Sequence, residues 1–144
     1  MKRILSVSLG LCALGGLAYL ALPAQSQTPP PAALPPEGAA LVAVTLPARL
    51  SPTAERGQRA FDAVCADCHG SGGAGKMGYG PPLIHPIYEP SHHGDMAFVI
   101  AAARGVRAHH WPFGDMPAQP DVTPEEVQAI IAYVREVQRA NGIH

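Results

Sequence analysis

Five consecutive residues in the middle of the chain, Cys65-Ala66-Asp67-Cys68-His69, constrain its fold more than any other feature. Two cysteines three positions apart share one face of a helical turn, because side chains at i and i+3 are neighbours there. Each thiol can form a thioether with a vinyl group of haem, and His69 can then bind the iron. We therefore predict one haem c, attached covalently through Cys65 and Cys68. A redox-active dithiol, or a chance C-x-x-C beside a histidine, is the alternative.

The composition is consistent with one small domain that gains apolar surface from a cofactor. Of the 144 residues only 6% are aromatic and 15% are charged, so the side chains alone would make a thin core. The third cysteine, Cys12, lies in an N-terminal apolar run, which leaves no second pair for a structural disulfide. The formal net charge is -1 and no basic patch indicates a nucleic-acid partner.

The N-terminus has the pattern of an export signal. Lys2 and Arg3 precede an uncharged apolar run, and the small residues Ala24 and Ser26 follow it at signal-peptidase spacing. We interpret residues 1–26 as a secretory signal peptide, which would take the protein to the periplasm or the outer face of the cytoplasmic membrane. Because the run approaches the roughly 20 residues that span a bilayer, an uncleaved membrane anchor is the alternative.

The rest of the chain is predicted to comprise a linker and an all-α domain. Residues 27–50 are rich in proline and alanine and form the predicted linker, although residues 39–46 could form a short strand or pack against the domain. The domain itself is predicted to cover residues 51–144.

Three helices are expected in that domain. Ser51-Pro52 begins a helix that runs into the cysteine motif, with Gly57 and Phe61 on one face. A middle helix covers about Gly94 to Arg104, and its expected buried stripe is Met96, Val99, Ile100 and Ala103. The last helix begins at Thr123 with a capping box and stops at Asn141-Gly142. No convincing strand pattern is present, so we predict three or four helices wrapped around the haem.

The second protein ligand to the iron is predicted to be Met116. Met77 follows His69 too closely to reach the other haem face, and Met96 is expected to pack in the core. Met116 lies in an irregular loop before the last helix, far enough from His69 for the chain to pass around the haem. Ligation by one methionine and one histidine is also common in c-type haem proteins. Histidine ligation is the alternative, and the candidates are His85, His92, His93, His109 and His110.

From about Ser51 to Ile143 the sequence resembles the monohaem class I cytochrome c family. The matching elements are Gly57 with Phe61, the C-x-x-C-H motif, Gly80-Pro81-Pro82-Leu83, Met116-Pro117 and the cap at Thr123 to Glu126. The resemblance implies that the carbonyl oxygen of Pro81 accepts a hydrogen bond from the His69 ring. The segment His85 to Trp111 departs from the family pattern, because it is longer and richer in histidine.

These features predict an exported electron-transfer protein rather than an enzyme. An iron with two protein ligands has no open site for a substrate, so the expected partners are a redox donor and a redox acceptor that dock transiently. One alternative is a periplasmic copper-handling haem protein that uses the pairs His92-His93 and His109-His110. Another is a haem enzyme or sensor with a labile sixth ligand. The stretch Gly70 to Lys76 resembles a phosphate-binding loop, but Met77 follows where a hydroxyl is needed.

Overall fold

The computed structural model describes residues 34–144, and the predicted signal peptide or anchor lies outside them. Four α-helices are present: α1 (Pro52–Ala60), α2 (Ala66–His69), α3 (Asp95–Arg104) and α4 (Pro124–Ala140). A π-helical turn, Phe61–Cys65, joins α1 to α2, and 3-10 turns cover Ser71–Gly73 and Pro86–Tyr88. In this part of the chain no helix is long and apolar enough to cross a membrane.

The predicted first helix is present as an uninterrupted helical stretch from Pro52 to His69. Ser51 caps it, since the Ser51 hydroxyl oxygen accepts a hydrogen bond from the amide of Ala54 at 3.2 Å. Within the stretch, the amide of Ala66 donates to the carbonyl oxygen of Phe61, the five-residue spacing of a π turn. The π turn adds one residue to the helical repeat just before the cysteine motif, so it sets the direction in which that motif points.

Helix α4 is the best-predicted element and forms one wall of the core. Thr123 and Glu126 make the reciprocal capping box, and the helix ends at the expected Asn141. It crosses α1 at Gly57, where an added Cβ would lie 1.8 Å from the carbonyl oxygen of Ala129. The core between these helices is built from the following buried side chains: Ala54, Phe61, Leu83, Ile84, Ile130, Tyr133, Val134, Val137 and Ile143.

Helix α3 has the predicted extent, but the prediction of its buried face was wrong. Met96 is 64% exposed and Ile100 is 48% exposed, so neither packs in the core as expected. The residues of α3 that line the cavity are Ala97, Phe98, Ile100, Ala101 and Ala102, and of the predicted stripe only the half-exposed Ile100 is among them. Every residue from Met96 to Ala103 is apolar, and a helix that is apolar on all sides carries no periodic signal for which side is buried.

The segment before α1 packs on the helices without forming regular structure. The amides of Leu41 and Val42 donate to the carbonyl oxygen of Ala74, at 3.2 and 3.1 Å. Thr45 is held twice by the Asn141 side chain, which accepts from its amide at 2.9 Å and donates to its carbonyl oxygen at 2.8 Å. Of the two arrangements considered for residues 39–46, the structure has the packed one, and ordered contacts begin before Ser51.

The fold class is the predicted one. Residues 34–144 contain no β-strand, only the isolated bridges Lys76 with Gly80 and Val106 with Met116. The fold is therefore all-α, with long loops between α2 and α3 and between α3 and α4. These two loops and the inward face of α3 enclose the space described next.

Candidate functional site

A largely apolar cavity of about 640 Å³ lies between the helices. This volume is within the roughly 300–1,000 Å³ of cofactor and small-molecule sites. Its walls come from the end of the α1–α2 stretch, the loop around Pro81, the inward face of α3, the loop from Gly105 to Pro117, and α4. The cavity thus draws on the π-helical turn, on α2, α3 and α4, and on the two long loops.

The motif residues Cys65, Cys68 and His69 all line this cavity. The His69 ring lies 2.9 Å from the carbonyl oxygen of Pro81, measured from Nδ1. A carbonyl oxygen can only accept a hydrogen bond, so Nδ1 carries the proton and Nε2 keeps a free lone pair. Burial lowers the pKa of His69, and the hydrogen bond to Pro81 opposes this effect. The ring is therefore neutral near pH 7, which is the form that binds a metal.

The environment of the cysteines is unlike that of a redox-active dithiol. Burial, with a smaller effect from Cys68, raises the pKa of Cys65 to about 11. Redox-active C-x-x-C motifs depend on a lowered thiol pKa, because the thiolate is the reactive form. The raised pKa of Cys65 therefore argues against the dithiol alternative.

Glycines bring the neighbouring loop close to the motif. A Cβ on Gly80 would lie 2.7 Å from the carbonyl oxygen of Cys68, so only glycine allows this approach just before Pro81. The resemblance of residues 70–76 to a phosphate-binding loop gains no support from the structure. Lys76, the residue that would contact phosphate, donates to the carbonyl oxygen of Asp67 at 3.1 Å and lies over the Tyr79 ring.

Met116 reaches the cavity, whereas Met77 and Met96 are not among its lining residues. Its backbone pairs with Val106 through two hydrogen bonds of 2.9 Å, which fix the loop in place. Of the rival histidines, the structure places His93, His109 and His110 along the cavity wall, but not His85 or His92. Of the residues predicted as a second iron ligand, Met116 and three of the five histidines therefore line the cavity.

Trp111 supplies a direct test of whether the cavity suits a haem. Its indole nitrogen is buried, and it has no hydrogen-bond partner among residues 34–144. The nearest candidate partner is Tyr88. Burial raises the pKa of Tyr88, and the proximity of the indole N–H opposes this effect. The Trp111 N–H and the Tyr88 hydroxyl do not, however, form a hydrogen bond of good geometry. A buried donor without a partner is costly, and the carboxylate of a haem propionate would satisfy it. The donor set, the apolar walls and this free N–H together fit a haem.

One buried arginine, Arg135, was not predicted from the sequence. Arg135 is only 7% exposed, and its guanidinium donates to Asp95 at 2.8 Å and to the carbonyl oxygens of Tyr88 and His93 at 2.8 and 2.5 Å. It thereby holds the turn that precedes α3. The burial of Arg135 could have been inferred from its position four residues after Ile131, which places it on the apolar side of α4.

The structure also gathers both histidine pairs at the edge of the cavity. His92 and His93 end the turn before α3, and His110 approaches them from the following loop with ring centroids 5.6 and 5.2 Å away. His109 lies beside His110, with ring centroids 4.2 Å apart. Partial loss of solvent contact, and then repulsion from the other three rings, lower the pKa of His110, although its side chain is exposed.

Comparisons with known proteins bear on the family of this chain. The family model described as Cytochrome c matches residues 54–138, which is more than half of the chain. A curated relative, the cbb3-type cytochrome c oxidase subunit FixP of Sinorhizobium medicae, is 35% identical over 95 residues. The alignment covers 58% of this chain but only 30% of that relative. No solved structure matches the chain.

Proposed function

Because this chain belongs to the cytochrome c family, whose members carry covalently bound haem c, we propose that it carries single electrons between redox partners. Cys65 and Cys68 would hold one haem, and His69 would bind its iron. The observation that carries this proposal is that these three side chains line one apolar cavity together with Met116. When bound, the haem supplies an iron that alternates between the ferric and ferrous states.

His69 and Met116 are the proposed iron ligands. The hydrogen bond to Pro81 orients the His69 ring with Nε2 free, and it makes that nitrogen a stronger donor to a metal. The thioether of Met116 is neutral and favours ferrous over ferric iron, which raises the reduction potential relative to a second imidazole. With both positions filled by protein, the proposed role is that of an electron carrier and not of an enzyme.

Trp111 and Arg107 are proposed to hold the haem propionates. The Trp111 indole N–H is buried and free, and Arg107 lines the same cavity. Both side chains come from the loop that also bears Met116. The loop from Gly105 to Pro117 would therefore bind the iron and the haem edge at once.

The proposed partners are a redox donor and a redox acceptor. The FixP relative is named as a subunit of a cbb3-type cytochrome c oxidase, so an oxidase of the respiratory chain is a suitable class of partner. Three cavity-lining side chains, Val64, Tyr79 and Ile100, are also 38 to 48% exposed and form an apolar rim. A rim of this kind suits the small interfaces of transient electron-transfer complexes. Export by residues 1–26 is part of the same proposal.

Optical spectra of the haem-loaded protein test the ligand assignment. In the oxidised state we expect a weak far-red band from methionine bound to iron, and its loss in Met116→Ala and Met116→His. Met96→Ala is the matched control, because Met96 is a 64% exposed methionine outside the cavity. An absent band would favour a histidine ligand or an open position, whereas a band that survives both Met116 substitutions would assign the second ligand to another methionine.

Carbon monoxide separates the carrier from a haem enzyme or sensor. The reduced wild-type protein should not bind carbon monoxide under native conditions, because Met116 occupies the second axial position. Met116→Ala should bind it, since this substitution opens that position. Binding by the native wild-type protein would favour the labile-ligand alternative.

A further inference from the structure

We propose that His92, His93 and His110 form a binding site for a divalent transition-metal ion, with Cu²⁺ the preferred one, at the rim of the haem cavity. Each of the three side chains offers one ring nitrogen, and these atoms lie within 4.8 Å of one another. This site is additional to the iron site and does not depend on the proposed electron transfer.

The spacing of the three rings is close to that of a metal site. Bonds of about 2.0 Å to one ion place ligand nitrogens roughly 3 to 4 Å apart, so the group needs only a small contraction. His92 and His110 are exposed, whereas His93 is half-buried. A change of side-chain rotamer at the two exposed histidines would be enough to close the group around one ion.

His93 is anchored in the manner of a metal ligand. Its Nδ1 lies 2.6 Å from the carbonyl oxygen of Ile87, and because a carbonyl can only accept, Nδ1 is the donor. The other nitrogen, Nε2, is left with its lone pair for a metal. Arg135 additionally donates to the backbone carbonyl oxygen of His93 at 2.5 Å. Metal-bound histidines usually donate their other ring N–H to a carbonyl or carboxylate oxygen, as His93 does to Ile87, and this hydrogen bond fixes the ring and its tautomer.

The two segments that supply the ligands are also fixed. The amides of His92 and His93 donate to the carbonyl oxygen of Glu89 at 3.1 and 2.8 Å. On the other side, Asp115 accepts from the amide of Ala108 at 2.8 Å and holds the loop that carries His110. A preformed site loses less conformational entropy when the ion binds.

The ligand chemistry selects the class of metal. The group contains three imidazoles with no carboxylate or thiolate, and imidazole suits Cu²⁺, Zn²⁺ and Ni²⁺ but not Ca²⁺ or Mg²⁺. Among the divalent ions of this series, Cu²⁺ binds most tightly to a given set of nitrogen ligands. The other two ions should therefore compete with Cu²⁺ only at higher concentration.

Copper titration of the full-length haem protein tests the site. The protein is purified without a histidine tag and kept ferric, so that added CuCl₂ stays in the Cu²⁺ state. We expect one Cu²⁺ per chain by equilibrium dialysis, with nitrogen hyperfine splitting in the electron paramagnetic resonance spectrum. His92→Ala and His110→Ala should each weaken binding at least about tenfold. His144→Ala is the matched control, since His144 is exposed and outside the group.

Three results would overturn the proposal. One is the absence of retained copper in the wild-type protein, and another is copper binding that neither His92→Ala nor His110→Ala weakens. The third is a changed haem spectrum in either variant before copper is added, which would assign these histidines to the iron. Both replaced side chains are exposed, so circular dichroism should show an unchanged fold.

Discussion

Gly57 in α1 meets Ala129 in α4 backbone to backbone, so closely that a Cβ on Gly57 would lie 1.8 Å from the Ala129 carbonyl oxygen. Because the obstacle is main chain, a side-chain rotation cannot relieve the clash. The ring centroids of Phe61 and Tyr133, 5.5 Å apart, continue the same contact along the two helices. The separation of α1 and α4 therefore depends on this glycine.

Gly57→Ala should therefore destabilise the protein. In an isolated helix, replacing glycine with alanine would stabilise the helix by about 1 kcal/mol. Here we expect the free energy of unfolding to fall by about 1–3 kcal/mol or more, because the new methyl group overpacks the contact between the helices. Urea unfolding of the haem-loaded protein measures the difference. Gly94→Ala is the control, because its Cβ would lie 3.6 Å from the carbonyl oxygen of Pro90, which is an ordinary contact distance. Gly94 is the N-cap of α3, so this substitution should lower the stability by no more than about 1 kcal/mol. An unchanged free energy of unfolding in Gly57→Ala would contradict the observed helix contact.

Gly105→Ala should disturb the proposed iron ligand from a distance. Gly105 has a φ of +73°, and its Cβ would lie 2.5 Å from the carbonyl oxygen of Met116. The new side chain would push apart the Val106–Met116 bridge and displace the Met116 thioether. We expect a weaker far-red methionine–iron band in the oxidised spectrum.

Gly114→Ala separates this clash from simple backbone strain. Gly114 also has a positive φ, +88°, but no atom lies within 4 Å of its added Cβ. Both substitutions should reduce stability by about 1 kcal/mol through the unfavourable φ. Only Gly105→Ala should reduce the band, and an equal loss in the two variants would rule out the proposed route through the bridge.

Arg135→Gln should be far more destabilising than Asp95→Asn, although the two residues form one ion pair. Arg135 is buried and also satisfies two backbone carbonyl oxygens, whereas the Asp95 side chain is 64% exposed. Losing the guanidinium should cost about 3 kcal/mol, and losing the exposed carboxylate less than about 1 kcal/mol. Thermal unfolding of the two variants measures the contrast, and similar losses would mean that the ion pair itself carries the stability.

Glu126 should contribute stability that disappears in acid. Hydrogen bonds from the backbone and then the side chain of Thr123 lower its pKa from 4.5 in the folded state. Because the pKa of Glu126 is lower in the folded state than in the unfolded state, its stabilising effect is complete above the pKa of the unfolded state. The effect is lost as the pH falls through the pKa of the folded state. The stability difference between wild type and Glu126→Gln should thus be largest near pH 7 and vanish in strong acid.

Glu125→Gln is the control for this pH dependence. Glu125 is the neighbouring exposed carboxylate in the first turn of α4, but it makes neither hydrogen bond to Thr123. Its replacement should leave the acid limb of the stability curve close to that of wild type. If both replacements flatten the curve equally, the charge of the first helical turn is responsible and the capping box is not.

Much of this protein was predictable because the signals are local. The C-x-x-C-H motif, the caps at Ser51 and Thr123, and the ends of α3 and α4 are each specified by residues within one or two helical turns. Gly57 also predicted the helix contact, since a glycine inside a helix is unfavourable unless another backbone approaches it. The family and the all-α fold follow from these local signals and the order in which they occur.

The tertiary structure decided which distant residues meet. Apolar periodicity could not orient α3, because all of its central residues are apolar, and packing around the cavity left Met96 outside. Arg135 is buried through carbonyl groups more than 40 positions away, and His110 joins His92 and His93 only after the chain has passed through α3. Such contacts depend on where a loop closes in space. That closure is set by the packing of the whole domain, and no local stretch of sequence encodes it.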